Sequence, residues 1–176
     1  PVTFRLNLLK HSPRTRTVLN LAAEKAGWGT PAPANIYRGL AVHEFHGTVV
    51  AMVADASIEE RGRIKVTRVV AAVDCGRLIN PEIVKAQVAG GIVFGLSAVL
   101  LGEVTLKNGQ VQQSNFDDFP ILTMVETPDI EVHLIESQAS PTGIGEAGVP
   151  PIAPAVTNAL SAATGKRIRR LPVHLG

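Results

Sequence analysis

Asn80-Pro81 opens a stretch, NPEIVKAQVAGGIVFGLSAVLL, that is apolar on nearly every side as far as Leu101. Asn followed by Pro marks a helix start. A helix that is apolar all round is stable only when other elements cover it. Gly90, Gly91 and Gly95 allow another backbone or a ligand to approach it closely. The chain is therefore expected to fold around a buried, glycine-containing helix.

The rest of the core must be mostly aliphatic, because five Phe, one Trp and one Tyr stand against 16 Gly and 12 Pro. Hydrophobic residues make up 45% and charged residues 18%, a balance that excludes disorder overall. The 176 residues suit a single domain or part of a larger one. A net charge of +2 is too small to argue for a nucleic-acid surface. Cys75 is the one cysteine, so the chain alone holds neither an internal disulfide nor a Cys-based iron–sulfur cluster. The richest apolar run, Val88 to Leu101, is broken by Gly90, Gly91, Gly95 and Ser97. It falls short of the roughly 18 residues expected of a membrane span. The first residues, PVTFRLNLLKHSPR, show neither a hydrophobic core nor a cleavage site for a signal peptide, and no initiator Met. Localisation is not readable from this end.

Residues 1–28 read as helical, with Ser12-Pro13 as an N-cap and first helical position, and with Gly27 as the stop. TPAPAN (30–35) is a turn or linker. Residues 39–57 have strand character and, across the polar turn EERGR, pair with a second strand over 64–73 in a long antiparallel hairpin. After the central helix, Asn108-Gly109 is a type I′ signal for a short hairpin. IEVHLI (130–135) is a further strand, a glycine-rich loop spans 140–149, a helix spans about 150–164 with Gly165 as its stop, and RIRRL (167–171) is a closing strand. The order is α+β, with mixed or antiparallel strands, the buried glycine-containing helix and flanking helices.

The segment PTGIGEAGVPP (141–151) is the most informative. Three glycines within residues 143–148 leave backbone that a ligand can approach without Cβ interference. The following helix directs its N-terminal amides towards the loop, a favourable place for anionic groups. Glu146 is the one carboxylate there and a candidate general base. The pattern alone favours a flexible turn with Glu146 in water, because isolated glycine motifs are weak signals. Gln87 is likewise either a polar residue on a buried helix or a ligand contact through its amide. His43 and His46 would face opposite sides of a strand, and Asp117-Asp118 reads as a loop. Cys75 reads as a buried small residue, and Lys166, Arg167, Arg169 and Arg170 as a solvated edge.

GIGEAGVPPIAPAVTNALSAATGKRIRRLP resembles the C-terminal signature of the large subunits of the xanthine oxidase family, in the isoquinoline 1-oxidoreductase and membrane-associated aldehyde dehydrogenase branch. GLAVHEFHGTVVAMVADASI, the block from VVAAVDCGRLINPEIVKAQVAGG to FDDFPIL, and IEVHLIES follow the same family in order, so the resemblance covers residues 1–172. It implies the C-terminal part of a molybdopterin-binding domain. Members hydroxylate the carbon of an aldehyde or N-heterocycle with water as the oxygen source. The Glu of their GxGE motif, here Glu146, takes up the proton as that oxygen becomes nucleophilic. Gly143, Ile144 and Gly145 match the loop beside the cofactor, and Gln87, Gly90 and Gly91 match the Q-x-x-G-G stretch that lies against it. The implied cofactor is molybdopterin, the molybdenum cofactor, in a plain or dinucleotide form; metal-ligating side chains are not expected. The implied partners are an iron–sulfur small subunit, which carries the clusters, and the upstream part of the large subunit. Only one side of the cofactor site is encoded, so this chain alone is expected to be inactive and to self-associate as a homo-oligomer or depend on a partner. The alternative is a non-catalytic fragment, or a binding or assembly domain.

Overall fold

The computed structural model describes residues 1–175. Three consecutive strands form its centre: β1 (Tyr37–Phe45), β2 (Thr48–Ile58) and β3 (Ile64–Asp74), paired antiparallel in sequence order. The stretch 39–57, expected as one strand, is divided between β1 and β2. His46 and Gly47 take left-handed dihedrals, with φ of 47° and 77°, the two-residue hairpin geometry whose twist suits paired strands. A histidine hid this turn, because Asn or Asp is the usual signal before the glycine. His46 thus sits in a turn and His43 in a strand. The second hairpin, over residues 59–63, is as the sequence predicted.

β2 is buried at every position from Thr48 to Ala56, and β3 from Val69 to Asp74. Unbroken burial of this kind needs cover on both faces of the sheet. Alternate side chains supply it by pointing to opposite sides. Val49, Ala51, Val53, Val70 and Ala72 meet Val18, Leu19 and Ala22 of α2 (Pro13–Lys25), beside the short α1 (Val2–Leu8). Val50, Met52, Ala54, Val69, Ala71 and Val73 face α3 (Pro81–Leu100) and α4 (Val149–Thr164). Each fully buried Leu, Ile or Met in these layers contributes about 1.5–3 kcal/mol.

After α3, residues 101–128 carry the small hairpin of β4 (Leu106–Lys107) and β5 (Gln110–Val111), turned at Asn108-Gly109 as expected. The chain then returns as β6 (Asp129–Leu134), parallel to β3. The sheet order is β1-β2-β3-β6, and a parallel neighbour requires such a crossover. The α+β class and the mixed sheet agree with the sequence reading.

Three expectations fail. RIRRL forms no strand; the chain there is irregular and tied back by Val173 N–H donating to Val99 O at 2.8 Å. Pro172 has no N–H for a ladder. The central helix, expected to be covered on nearly all sides, is covered along one stripe. Val84, Val88, Gly91, Ile92, Gly95, Leu96 and Val99 are buried, whereas Ile83 is 64% and Phe94 72% exposed. The same helix has the length and apolar composition to cross a membrane, contrary to the reading that its glycines end the run. Glycine interrupts a row of side chains without adding polar surface, and here two of them are the packing stripe. A Cβ at Gly91 would lie 3.2 Å from Gly148 Cα, and one at Gly95 would lie 2.5 Å from Ile152 Cγ2.

Candidate functional site

Residues 140–148 link β6 to α4 across the end of β3 at which Asp74 stands. Their backbone is fastened at several points. Arg77 N–H donates to Ala139 O at 3.0 Å and Thr142 N–H to Cys75 O at 2.9 Å. The Thr48 hydroxyl donates to Gly143 O at 2.7 Å and lies 2.7 Å from the Thr142 hydroxyl. Gln87 Nε2 donates to Gly145 O at 2.9 Å. Ile144 packs against the core, and Ala147 is buried at the start of α4. A Cβ at Gly148 would lie 2.5 Å from Val88 O, so only glycine lets loop and α3 meet there.

What remains outward is a strip of bare backbone. Gly143 and Gly145 are exposed, and nothing lies within 4 Å of where their Cβ atoms would be. Among the described residues, no acceptor meets the N–H groups of Gly143, Ile144, Gly145 or Glu146. The Glu146 side chain is exposed and has no hydrogen-bond or ion-pair partner among the described residues. Gln87 is exposed beside this strip and Gly91 is buried beneath it against Gly148, while Gly90, exposed on α3, has open space where its Cβ would stand. The structure thus brings Gln87 and Gly91 of α3 to the loop of Gly143, Ile144, Gly145 and Glu146, with Gly91 in packing contact.

The expected contribution of helix amides is corrected. Residues at the first turn of α4 are Val149, Pro150 and Pro151. The prolines have no N–H, and Val149 N–H already donates to Glu146 O at 2.9 Å. The free donors belong to the loop; the helix offers mainly its dipole.

Beneath the loop lies an ion pair that the sequence reading missed, its carboxylate buried and its guanidinium partly exposed. Asp74, 3% exposed, receives Arg14 Nε at 2.8 Å and Nη2 at 2.9 Å. It also receives Gly76 N–H at 2.9 Å and the Ser137 hydroxyl at 3.1 Å. Arg14 further donates to Gly47 O at 2.6 Å and Asp74 O at 2.8 Å. The Arg14 guanidinium holds the Asp74 carboxyl below the usual carboxylate range, aided by Gly76 and Ser137 and opposed by burial. One charge at the end of an apolar run, VVAAVD, was the available signal. Cys75 is buried as expected, and burial pushes its thiol up, away from reactivity.

The other candidates stay apart from the loop. Asp118 caps the backbone amides of Ser114 and Asn115 at 2.9 Å. Lys166, Arg167, Arg169 and Arg170 are exposed. Among the described residues no cluster of three or more His, Cys, Asp or Glu could hold a metal ion. The loop lines an open surface; a cavity of about 910 Å³ lies at the other end of β3 between Arg61, Lys65, Leu122 and Asp129.

Residues 21–128 match the family model described as the molybdopterin cofactor-binding domain. The chain is 38% identical, over 99% of its length, to the beta subunit of isoquinoline 1-oxidoreductase from Brevundimonas diminuta, and covers 23% of that protein. It is 34% identical, over 98% of its length, to a subunit of nicotinate dehydrogenase from Pseudomonas putida, and covers 16% of it. The crystal structure of quinoline 2-oxidoreductase from Pseudomonas putida 86 superposes with a TM-score of 0.67 at 29% identity, over 71% of this chain and 17% of that one. The chain therefore spans a quarter or less of the proteins it matches. With the fold, the exposed loop and these matches in agreement, the chain belongs to the molybdopterin cofactor-binding domain family, within the xanthine oxidase group of molybdenum oxidoreductases.

Proposed function

We propose that this chain forms one side of the active site of a hydroxylating oxidoreductase, acting on the carbon of an N-heterocycle or an aldehyde with water as the oxygen source. Glu146 is the general base in this reading. The observation that carries it is the state of Glu146: an exposed carboxylate, unpaired among the described residues, in a loop whose Gly143 and Gly145 carbonyls are held while the N–H groups from Gly143 to Glu146 are not.

The residues present fit a bulky, anionic cofactor. Gly143, Ile144 and Gly145 offer backbone N–H donors, and Gly143 and Gly145 leave room where side chains would stand, as Gly90 does on α3. Gln87 spends its Nε2 on the loop and keeps Oε1 free among the described residues. When bound, molybdopterin would supply a Lewis acid and a two-electron acceptor. Glu146 would hold and move the proton at its carboxylate oxygens, which no other side chain competes for. The loop would orient that carboxylate by having its backbone fixed before substrate arrives.

The remainder of the site would come from the rest of a large subunit, and electrons would leave through an iron–sulfur small subunit. Two of the relatives are named as single subunits of their enzymes, which supports a multi-subunit assembly. On this reading the chain is a segment of a larger molybdopterin-binding region and turns nothing over alone. The relatives named for isoquinoline, nicotinate and quinoline favour an N-heterocycle as substrate.

Glu146→Gln in the assembled enzyme tests the role of the base. The amide keeps the shape and cannot take the proton. Enzyme reduction by substrate, normalised to bound molybdenum, should fall roughly 10²–10⁴-fold with cofactor content retained. A normalised rate within a few-fold of the native enzyme would remove Glu146 from that role.

A further inference from the structure

We propose that Thr48 is a positioning residue for Glu146, acting with Gln87 as a two-point clamp on the loop; this rests on the reading of Glu146 as the base. Thr48 opens β2 directly after the His46-Gly47 turn and is fully buried. It has one proton and a loop carbonyl within reach, so its hydroxyl donates to Gly143 O at 2.7 Å. The Thr142 hydroxyl then donates to Thr48 Oγ1 across their 2.7 Å separation. Two residues further along the loop, Gln87 Nε2 holds Gly145 O at 2.9 Å. Glu146 is the next residue.

The loop needs such fastening. Gly143 and Gly145 have the widest conformational freedom of any residue type, and no neighbour restricts them from the side where a Cβ would stand. Packing locates Ile144 and Ala147 but leaves the peptide planes between them free to rotate. Fixing the Gly143 and Gly145 carbonyls inward turns those planes, and the N–H groups of Ile144 and Glu146 face away from the protein as a consequence. Thr48 and Gln87 come from elements far apart in sequence, 95 and 58 residues from their acceptors. The clamp therefore exists only when the sheet and α3 are both assembled.

Thr48 is itself braced. Its neighbour Gly47 accepts Arg14 Nη1 at 2.6 Å, and Arg14 is locked on Asp74. A Cβ at Gly47 would lie 2.9 Å from Thr142 Cγ2, so the turn touches the loop directly. The hydroxyl is thus presented by a rigid hairpin end, as a positioning group requires.

The test compares Thr48→Val, which keeps the shape and removes the hydroxyl, with Thr48→Ser, which keeps the hydroxyl, in the assembled enzyme. Gln87→Met, at an exposed helix position, supplies a second lesion if Thr48→Val fails to assemble. Two readouts are needed: hydrogen exchange of the Thr142 and Val149 amides, which are bonded to Cys75 O and Glu146 O at the two ends of the loop, and the substrate reduction rate normalised to molybdenum. Thr48→Val should exchange several-fold faster there and not elsewhere in β2. Its normalised rate should fall about 10- to 100-fold, with KM little changed, and Thr48→Ser should restore both. Unchanged exchange at Thr142 and Val149 in Thr48→Val and Gln87→Met overturns the clamp. Faster exchange with a native rate overturns the positioning role, provided Glu146→Gln is inactive. If Glu146→Gln is itself active, the base reading has failed, and exchange alone then decides whether the clamp exists.

Discussion

The three-layer body and the surface made by the outer face of α3 with residues 101–128 are both rich in apolar residues, yet they end in opposite environments. In the body, Leu96, Ile92 and Met52 are fully buried. On the outer surface, Phe94 is 72%, Phe116 74%, Met124 91% and Val125 96% exposed. Phe94 and Leu96 are two residues apart on one helix. Apolarity therefore records that a residue is to be covered and says nothing about which element covers it. Large apolar side chains left this exposed suit the proposal that this chain works only as part of a larger assembly.

The comparison is sharpest at that pair. Leu96→Ala leaves a cavity between α3 and α4 and should cost about 2–5 kcal/mol in equilibrium denaturation of the chain. Phe94→Ala should cost less than about 0.5 kcal/mol, as surface changes do. Equal costs would mean that the outer face is covered in solution.

A smaller effect is expected at the polar heart of the body. Asp74→Asn weakens the charge-assisted bonds with Arg14 and should destabilise the fold by about 2 kcal/mol. Arg14 holds the folded-state pKa of Asp74 down. Its contribution is therefore present above the unfolded value of about 3.9 and is lost as pH falls through the lower folded value. Urea midpoints of the two proteins should differ by a constant amount between about pH 5 and 8 and converge on acidification below about pH 4. A gap that persists at low pH would reject the ion pair as the cause.

The smallest effect on stability belongs to the outer surface. Met124→Ser with Val125→Ser should leave the denaturation midpoint within about 0.5 kcal/mol of native while reducing self-association in light scattering. Loss of stability instead would show that residues 101–128 belong to the body.

Local chemistry carried most of the elements. Ser12-Pro13, Asn80-Pro81, Asn108-Gly109 and Gly165 each mark a boundary that the structure keeps. The His46-Gly47 turn was missed because its first residue is an unusual one for a left-handed conformation. The closing strand failed because a strand needs a partner edge, and pattern alone does not supply one. At the site, Glu146 and its glycines were legible because they are contiguous and oddly composed. Gln87 was legible through the family resemblance, although its bond to Gly145 was not. Thr48 was invisible: a threonine at the head of a strand is ordinary.

The sequence by itself determined the α+β class, the main helices and the loop that bears Glu146, because caps, turns and periodicity act over a few residues. The tertiary structure alone decided which face of α3 is buried, that Gly91 and Gly148 touch, and that Thr48 and Gln87 grip the loop. Those contacts join residues tens of positions apart. They form only after the sheet and helices have packed, because a hydrogen bond or a close approach depends on ångström-scale placement that no local pattern contains.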